Sequence, residues 1–402
     1  MKTAAVIAEY DPFHKGHAIQ LKRLKEEHGF DHVVIIMSGC FMQRGTPSLL
    51  SKYERAEMAL RNGADLVIEL PVDFALAPAG RFAEGGVLLA KYLGAVDTIA
   101  WSCETPALFD PEQSPALLPL IRAMTKEPEE FREILRRRMA EGLPYPKARE
   151  EALLSLPKLS PFKKDLCALL QNPNNLLGLS YETTVRTKAP GLNTLALLRE
   201  GQAHDSSALA AELPSASAIR QAAKGNIDIS SFSPENCRSI IQKAAQENRF
   251  LFADDFFILL RYRLLSVANP EDYQWVTPSL SDKLKKYAKK MRSFTDLAAE
   301  LKSRDITHSH VRRALFSVLL DLKKEDAPPA PAYARILGFL KSAEPLLHEI
   351  RKKAQVPLIS KDADRIELLR KELYVSEVYR LVLEEKSGCA VKNDLQQPLV
   401  ML

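Results

Sequence analysis

Two histidines, His14 and His17, stand three residues apart with Gly16 between them, in the run Glu9-Tyr10-Asp11-Pro12-Phe13-His14-Lys15-Gly16-His17. At the start of a helix that spacing puts both imidazoles before one phosphate chain. There they can donate hydrogen bonds to the charge that builds as an α-phosphate is attacked and pyrophosphate leaves. The same spacing also suits two surface histidines, or two ligands of a metal site completed elsewhere. The flanking residues favour the first reading. Residues 3–8 are a short apolar, partly β-branched run that reads as a buried strand, and His17, Leu21 and Leu24 recur at helical spacing. Pro12 and Gly16 punctuate the turn between them. A strand, a turn and a helix start together make an anion cradle, because the first N–H groups of a helix have no partner within it.

Further candidates lie where other strands end. After the second apolar run comes the loop of residues 38–47, in which Gln43 and Arg44 sit among glycines; Arg44 can pair with a phosphate or carboxylate, or bind a local carbonyl. Ser102 follows the fourth run, and Asn174 and Asn175 precede an amphipathic stretch that they could simply cap. Arg199 closes a probable last strand over 195–198. In Pro214-Ser215-Ala216-Ser217-Ala218-Ile219-Arg220, the hydroxyls of Ser215 and Ser217 can cap a helix, while a helix start with Arg220 also suits β- and γ-phosphates.

The elements that must hold these residues are regular from residue 1 to about 105. Strands are expected over 3–8, 32–37, 66–70 and 98–101, with helices between them. One helix opens on the capping box Ser51-Lys52-Tyr53-Glu54 and stops at Gly63, and another runs over 81–93 and stops at Gly94. This alternation predicts an α/β fold, a Rossmann-like, doubly wound parallel sheet with ligands at the carboxyl ends of its strands. Residues 106–165 read as a mostly helical insertion, whose Arg136, Arg137 and Arg138 are either a solvated face or a nucleic-acid contact. A polar linker is expected over 226–236. From 240 to 402 the strand pattern is lost and helical periods take over, which predicts an α-helical C-terminal domain.

The run around the histidines resembles the HxGH motif of the nucleotidylyltransferase superfamily, a relative of the HIGH motif of class I aminoacyl-tRNA synthetases. The longer run Glu9-Tyr10-Asp11-Pro12-Phe13-His14 resembles the opening of the bacterial tRNA(Met) cytidine acetate ligases, with Asp11 where that family has Asn. Gln43, Arg44 and Gly45 match the family's Gly-Asn-Phe-Val-Gln-Arg-Gly segment, with Cys40 in place of Asn. Trp101-Ser102-Cys103-Glu104 stands for Phe-Gly-Ser-Glu, and Asn174 to Tyr181 for Asn-Asp-Ile-Leu-Gly-Ile-Glu-Tyr, with Asn175 and Ser180 as departures. His204 and Asp205 match a Tyr-His-Asp, with Ala203 for Tyr.

The resemblance implies His14 and His17 as catalytic residues. It implies ATP held by Ile7, Ala8, Glu9, Tyr10, Asp11, Pro12, Phe13, Lys15, Gly16, Ala18, Ile19 and Gln20, and by Ser102, Asn174, Arg199, Ser217 and Arg220. Gln43 and Arg44 are further substrate or phosphate contacts. The implied activity activates acetate as acetyl-adenylate and transfers the acetyl group to N4 of the wobble cytidine of elongator tRNA(Met). ATP is then a co-substrate, with Mg²⁺ expected to accompany it. Two other readings keep the fold: transfer of a nucleotide to a small phosphorylated acceptor, or non-catalytic binding of ATP and RNA.

Composition agrees with a soluble enzyme. The 402 residues are 46% hydrophobic and 27% charged, with a net charge of +5. No apolar run reaches the ~18 to 20 residues of a membrane span, and the N-terminal run is too short for a signal peptide, so a cytoplasmic location is expected. The five cysteines show no C-x-x-C spacing and read as reduced thiols. No carboxylate spacing defines a metal site, and no P-loop or dinucleotide fingerprint is present. The positive surplus lies in the C-terminal half, where Lys283, Lys286 and Lys290 cluster near Tyr287, and where Arg312 and Arg313 follow His308 and His310. These are an ordinary basic helical surface or a tRNA contact, and the resemblance favours tRNA.

Overall fold

Along the first strand, β1 (Thr3–Ala8), alternate side chains go to opposite faces, and both faces are buried. Ala5 and Ile7 join one apolar cluster, Ala4 and Val6 another. Such a strand needs helices on both sides of its sheet, which is the physical content of a doubly wound fold. The computed structural model describes residues 1–200, 213–288, 290–304, 306–360 and 365–402. The other strands are β2 (His32–Ser38), β3 (Leu66–Leu70), β4 (Thr98–Cys103), β5 (Asn193–Leu198), β6 (Ala334–Phe339), β7 (Leu358–Ile359) and β8 (Val400–Met401). The order across the sheet is β5-β4-β1-β2-β3-β6-β7, with β8 also paired to β6.

The first five strands are parallel, and β1 pairs with both β2 and β4, so Val6 faces Ile35 on one side and Ala100 on the other. Helices Lys15–Glu26, Lys52–Leu60 and Ala216–Lys224 cover one face. Helices Ala79–Leu93 and Pro173–Lys188 cover the other, joined by the helical insertion through Leu117, Phe131, Leu153 and Leu166. The capping box of Ser51 and Glu54 forms, and Gly94 ends its helix with φ +68.

Strands do not stop before residue 240. β6 runs antiparallel beside β3, with a bulge at Val67 and Ile68, and brings β7 and β8 with it. A six-residue apolar run in a helical half cannot be told from a buried helix turn by periodicity alone; its edge pairing with β3 is a tertiary event. The C-terminal half is otherwise helical. Its core includes Phe256, Leu297, Leu315 and Tyr379, and takes in Cys40, Phe41 and Val72 from the parallel-sheet half. Phe41 lies 5.1 Å from Phe316 and 5.6 Å from Phe256, ring centre to ring centre. Residues 226–236, expected as a linker, are packed too: Ile229 and Ser233 are buried, and two single-turn helices begin at Ser230 and Glu235. Among the described residues no helix is long and apolar enough to cross a membrane.

Candidate active site

His14 is the N-cap of the helix Lys15–Glu26. Its extended backbone turns the imidazole back over the helix start, where Gly16 N–H donates to its Nδ1 at 3.1 Å. His14 N–H in turn donates to Nδ1 of His17 at 3.3 Å, so the two histidines form a reciprocal capping box. The rings stack with centres 3.7 Å apart. Because each Nδ1 accepts a backbone proton, a neutral imidazole at either position carries its own proton on Nε2. A Cβ at residue 16 would lie 3.0 Å from His14 Cε1, so glycine keeps this ring in place. Tyr10, with φ +49, and Phe13 pack beneath His17, ring centres 4.7 and 5.6 Å away, and the Ser233 hydroxyl donates to the Phe13 carbonyl at 2.7 Å.

The histidines open into a cleft of about 850 Å³ at the carboxyl ends of β1, β2, β4 and β5. Ile7, Ala8, Glu9, Tyr10, Asp11, Gly16, Ile19 and Gln20 line it, as do Ser102, Asn174, Arg199, Ser217 and Arg220. Gln43 and Arg44 reach it from the loop after β2. The cleft lining does not include Pro12, Phe13, Lys15 or Ala18; Phe13 is wholly buried and supports the turn from below. Ser215, not Ser217, caps the helix Ala216–Lys224, accepting from Ala218 N–H at 3.2 Å, and Ser217 is exposed to the cleft. Asn174 and Asn175 do not precede their helix: it starts at Pro173, so both lie in its first turn. Asn174 donates to Glu104 at 2.7 Å, whereas the buried Asn175 accepts the N–H groups of Glu104 and Thr105 and fixes the end of β4. His204 and Asp205 lie outside the described residues.

Among the described residues that line the cleft, Arg23, Arg44, Arg199, Arg220, Lys224, Arg312 and Arg313 are basic and Glu9, Asp11, Glu200 and Asp254 acidic. Asp11 accepts Leu49 N–H at 2.6 Å and pairs with Arg220. Its charge is therefore matched within the cleft wall. Burial pushes the Glu9 carboxyl above its ordinary value, while the Gln43 N–H that it accepts at 2.6 Å pulls it back. Cys40, another departure, is a packing residue: its thiol lies 3.7 Å from Ser376 Oγ and burial pushes it up to about 12.

Sequence reasoning missed Arg55. This wholly buried guanidinium donates to the carbonyls of Glu9 at 2.6 Å, Ser38 at 3.0 Å and Leu50 at 3.3 Å, and also to that of Gly39, clamping the ends of β1 and β2 together. The available signal was an arginine among Ala56, Met58 and Ala59, on the apolar side of a short helix. The basic set expected to contact tRNA is divided. Lys286 and Lys290 are exposed and Lys283 half-buried, away from the cleft. Arg312 and Arg313 line the cleft instead. Arg313 is only 7% exposed and donates to the Gln43 carbonyl at 2.9 Å, which removes it from any open RNA surface. Of the arginines in the insertion, Arg136 and Arg138 pair with Glu129, Glu141 and Glu151 on a solvated face.

Five parallel strands whose first strand-to-helix turn stacks two imidazoles over a helix start define a nucleotidyl transferase of the HIGH type. The family model described as HIGH Nucleotidyl Transferase matches residues 1–394. The tRNA(Met) cytidine acetate ligase of Thermosipho melanesiensis is 32% identical over all of this chain and 99% of its own length. That of Caldanaerobacter subterraneus subsp. tengcongensis is 32% identical over the whole of both chains. The crystal structure of apo Thermotoga maritima TmcAL superposes with a TM-score of 0.90 at 26% identity, and that of the same protein bound with alpha-thio ATP with 0.87, each over both whole chains. The chain belongs to the HIGH nucleotidyl transferase family, and within it to the tRNA(Met) cytidine acetate ligases.

Proposed function

We propose that this protein is an ATP-dependent acetate ligase that forms acetyl-adenylate and acetylates N4 of the wobble cytidine of elongator tRNA(Met), acting in the cytoplasm. The observation that carries the reading is the stacked His14–His17 pair at a helix start, in a chain related over its full length to enzymes of that name. ATP lies with its phosphates over this helix start. An acetate oxygen attacks the α-phosphate, the bond to the β-phosphate breaks, and pyrophosphate leaves with the electron pair. The Nε2–H groups of the histidines stabilise the charge on the pentavalent phosphorus, and Ser217 and Arg220 meet the leaving group. The cytidine amine then attacks the acetyl carbonyl and AMP departs. The base must be drawn out of its stack to reach the anhydride.

Mg²⁺ enters this scheme with the phosphates of ATP. Among the described residues no group of three or more His, Cys, Asp or Glu could hold an ion, and Asp11 and Glu9 are already hydrogen-bonded in the cleft wall. No step here is therefore assigned to a protein-held metal. The test is incubation with ATP, Mg²⁺ and labelled acetate, with and without bacterial tRNA. Label in N4-acetylcytidine that depends on ATP is the expected result. The absence of both acetate-dependent pyrophosphate and label in tRNA, with ATP binding confirmed, would overturn the reading.

A further inference from the structure

The helix His308–Leu319 belongs to the C-terminal half, yet Ser309, Arg312 and Arg313 from its first turns line the nucleotide cleft. The approach depends on Gly45. That residue has φ +73, and a Cβ built on it would lie 2.6 Å from Arg312 Cβ and 2.5 Å from the Arg313 backbone nitrogen. Only glycine lets a helix press so close to a loop in this conformation. Arg313 then donates to the Gln43 carbonyl at 2.9 Å, and Gln43 N–H donates to Glu9 at 2.6 Å. These bonds pin the helix to the end of β1 and fix Arg312 in the cleft wall.

Two other guanidiniums line the same cleft, Arg44 from the loop after β2 and Arg220 from the helix Ala216–Lys224. Burial lowers the hold of Arg312 on its proton, and the charges of Arg220 and Arg44 lower it further, against Asp254. Asp11 pairs with Arg220 and accepts Leu49 N–H, and Asp254 accepts both donors of Thr295 at 2.8 Å and Lys224 at 3.2 Å. Arg312 and Arg44 thus come together with the Arg220–Asp11 pair, from three distant segments, in one partly enclosed cleft, an arrangement that suits a multivalent anion.

We propose that Arg312, together with Arg44 and Arg220, binds the β- and γ-phosphates of ATP and the pyrophosphate that leaves, so that the C-terminal half completes the nucleotide site. This rests on reading the cleft as an adenylation centre. As the bond from the α-phosphorus to the bridging oxygen breaks, the electron pair goes to pyrophosphate, and the guanidiniums take up the charge by charge-assisted hydrogen bonds.

Calorimetric titration of the full chain with ATP, AMP and pyrophosphate tests this without acetate or tRNA. Arg312→Ala should weaken ATP and pyrophosphate by roughly ten- to hundredfold and leave AMP within about twofold, because AMP lacks the phosphates concerned, with Arg312→Lys in between. Equal weakening of ATP and AMP would overturn the proposal. So would unchanged ATP and pyrophosphate affinities, and a change in acetate KM or tRNA Kd would then show which contact Arg312 makes instead. Should the alanine variant not fold, Arg312→Lys carries the same comparison. Failure of the acetate ligase reading shows separately, as wild-type protein that binds ATP but releases no acetate-dependent pyrophosphate.

Discussion

His14 and His17 are held by the same backbone groups that begin their helix, so the helix cap and the proposed catalytic pair are one arrangement. Replacing either by alanine should lower acetate-dependent pyrophosphate release by on the order of 100- to 1000-fold, the scale of losing one transition-state donor. The affinity for tRNA should stay near wild type; a gel-shift alongside the pyrophosphate assay checks both, and equal loss of the two would contradict the assignment. Glu372 offers a test of a different kind. It is buried and accepts Val72 N–H at 2.7 Å, and burial, followed by the charge of Glu69, pushes its carboxyl up to about 8 from 4.5. Between these two values the folded chain keeps a proton that the unfolded chain has released. Stability therefore falls as pH rises from about 4.5 to about 8, by at most roughly 1.4 kcal/mol per pH unit from this group, and levels off above. Glu372→Gln should flatten that part of the profile, which melting temperatures at pH 5 to 8.5 would reveal.

At the scale of elements, the loop between β2 and the Lys52–Leu60 helix holds the site together. It presents Gln43 and Arg44 to the cleft, buries Phe41 in the helical core, and seats the His308–Leu319 helix on Gly45. Gly45→Ala adds a Cβ where there is no room, in a left-handed conformation that side chains avoid. The expected cost is about 1 to 3 kcal/mol in urea unfolding, with a raised KM for ATP as the helix backs away. An unchanged KM would separate the loop's packing from the chemistry. Arg55 supports the same region from below, since its guanidinium ties the β1 and β2 ends to the chain entering its own helix.

Over the whole molecule, the two halves share charges as well as a sheet. Lys52 donates to Glu69 at 2.9 Å and to Asp394 at 2.6 Å, and Arg335 on β6 donates to the same two carboxylates at 2.7 and 2.9 Å. All four are nearly buried, with the Asp394 carboxyl, for all its burial, held far below its ordinary value by Lys52 and Arg335. Asp394→Ala leaves two buried cations with one carboxylate and should destabilise the chain by about 3 to 5 kcal/mol in urea unfolding. A loss below about 1 kcal/mol, the scale of an exposed pair, would mean that water reaches this network.

The sequence alone determined what depends on neighbours a few residues away. Hydrogen bonds within one turn set the caps of the helices and the turn of His14, Gly16 and His17 at the end of β1, and the apolar runs of β1 to β4 read as buried strands without their order in the sheet. Only the tertiary structure decided the rest. Long-range packing buries Lys52, Arg55 and Arg335, and Arg335 lies 266 residues from the Glu69 that it meets. Arg312 read as part of a basic face that RNA could cover, but whether a charge on a helix faces solvent or a cleft depends on what the helix packs against, and here that is Gly45, far away in the chain. β6 was hidden for the same reason: a strand is defined by its partners, and the one that joins β6 to the parallel strands, β3, lies in the other half of the molecule.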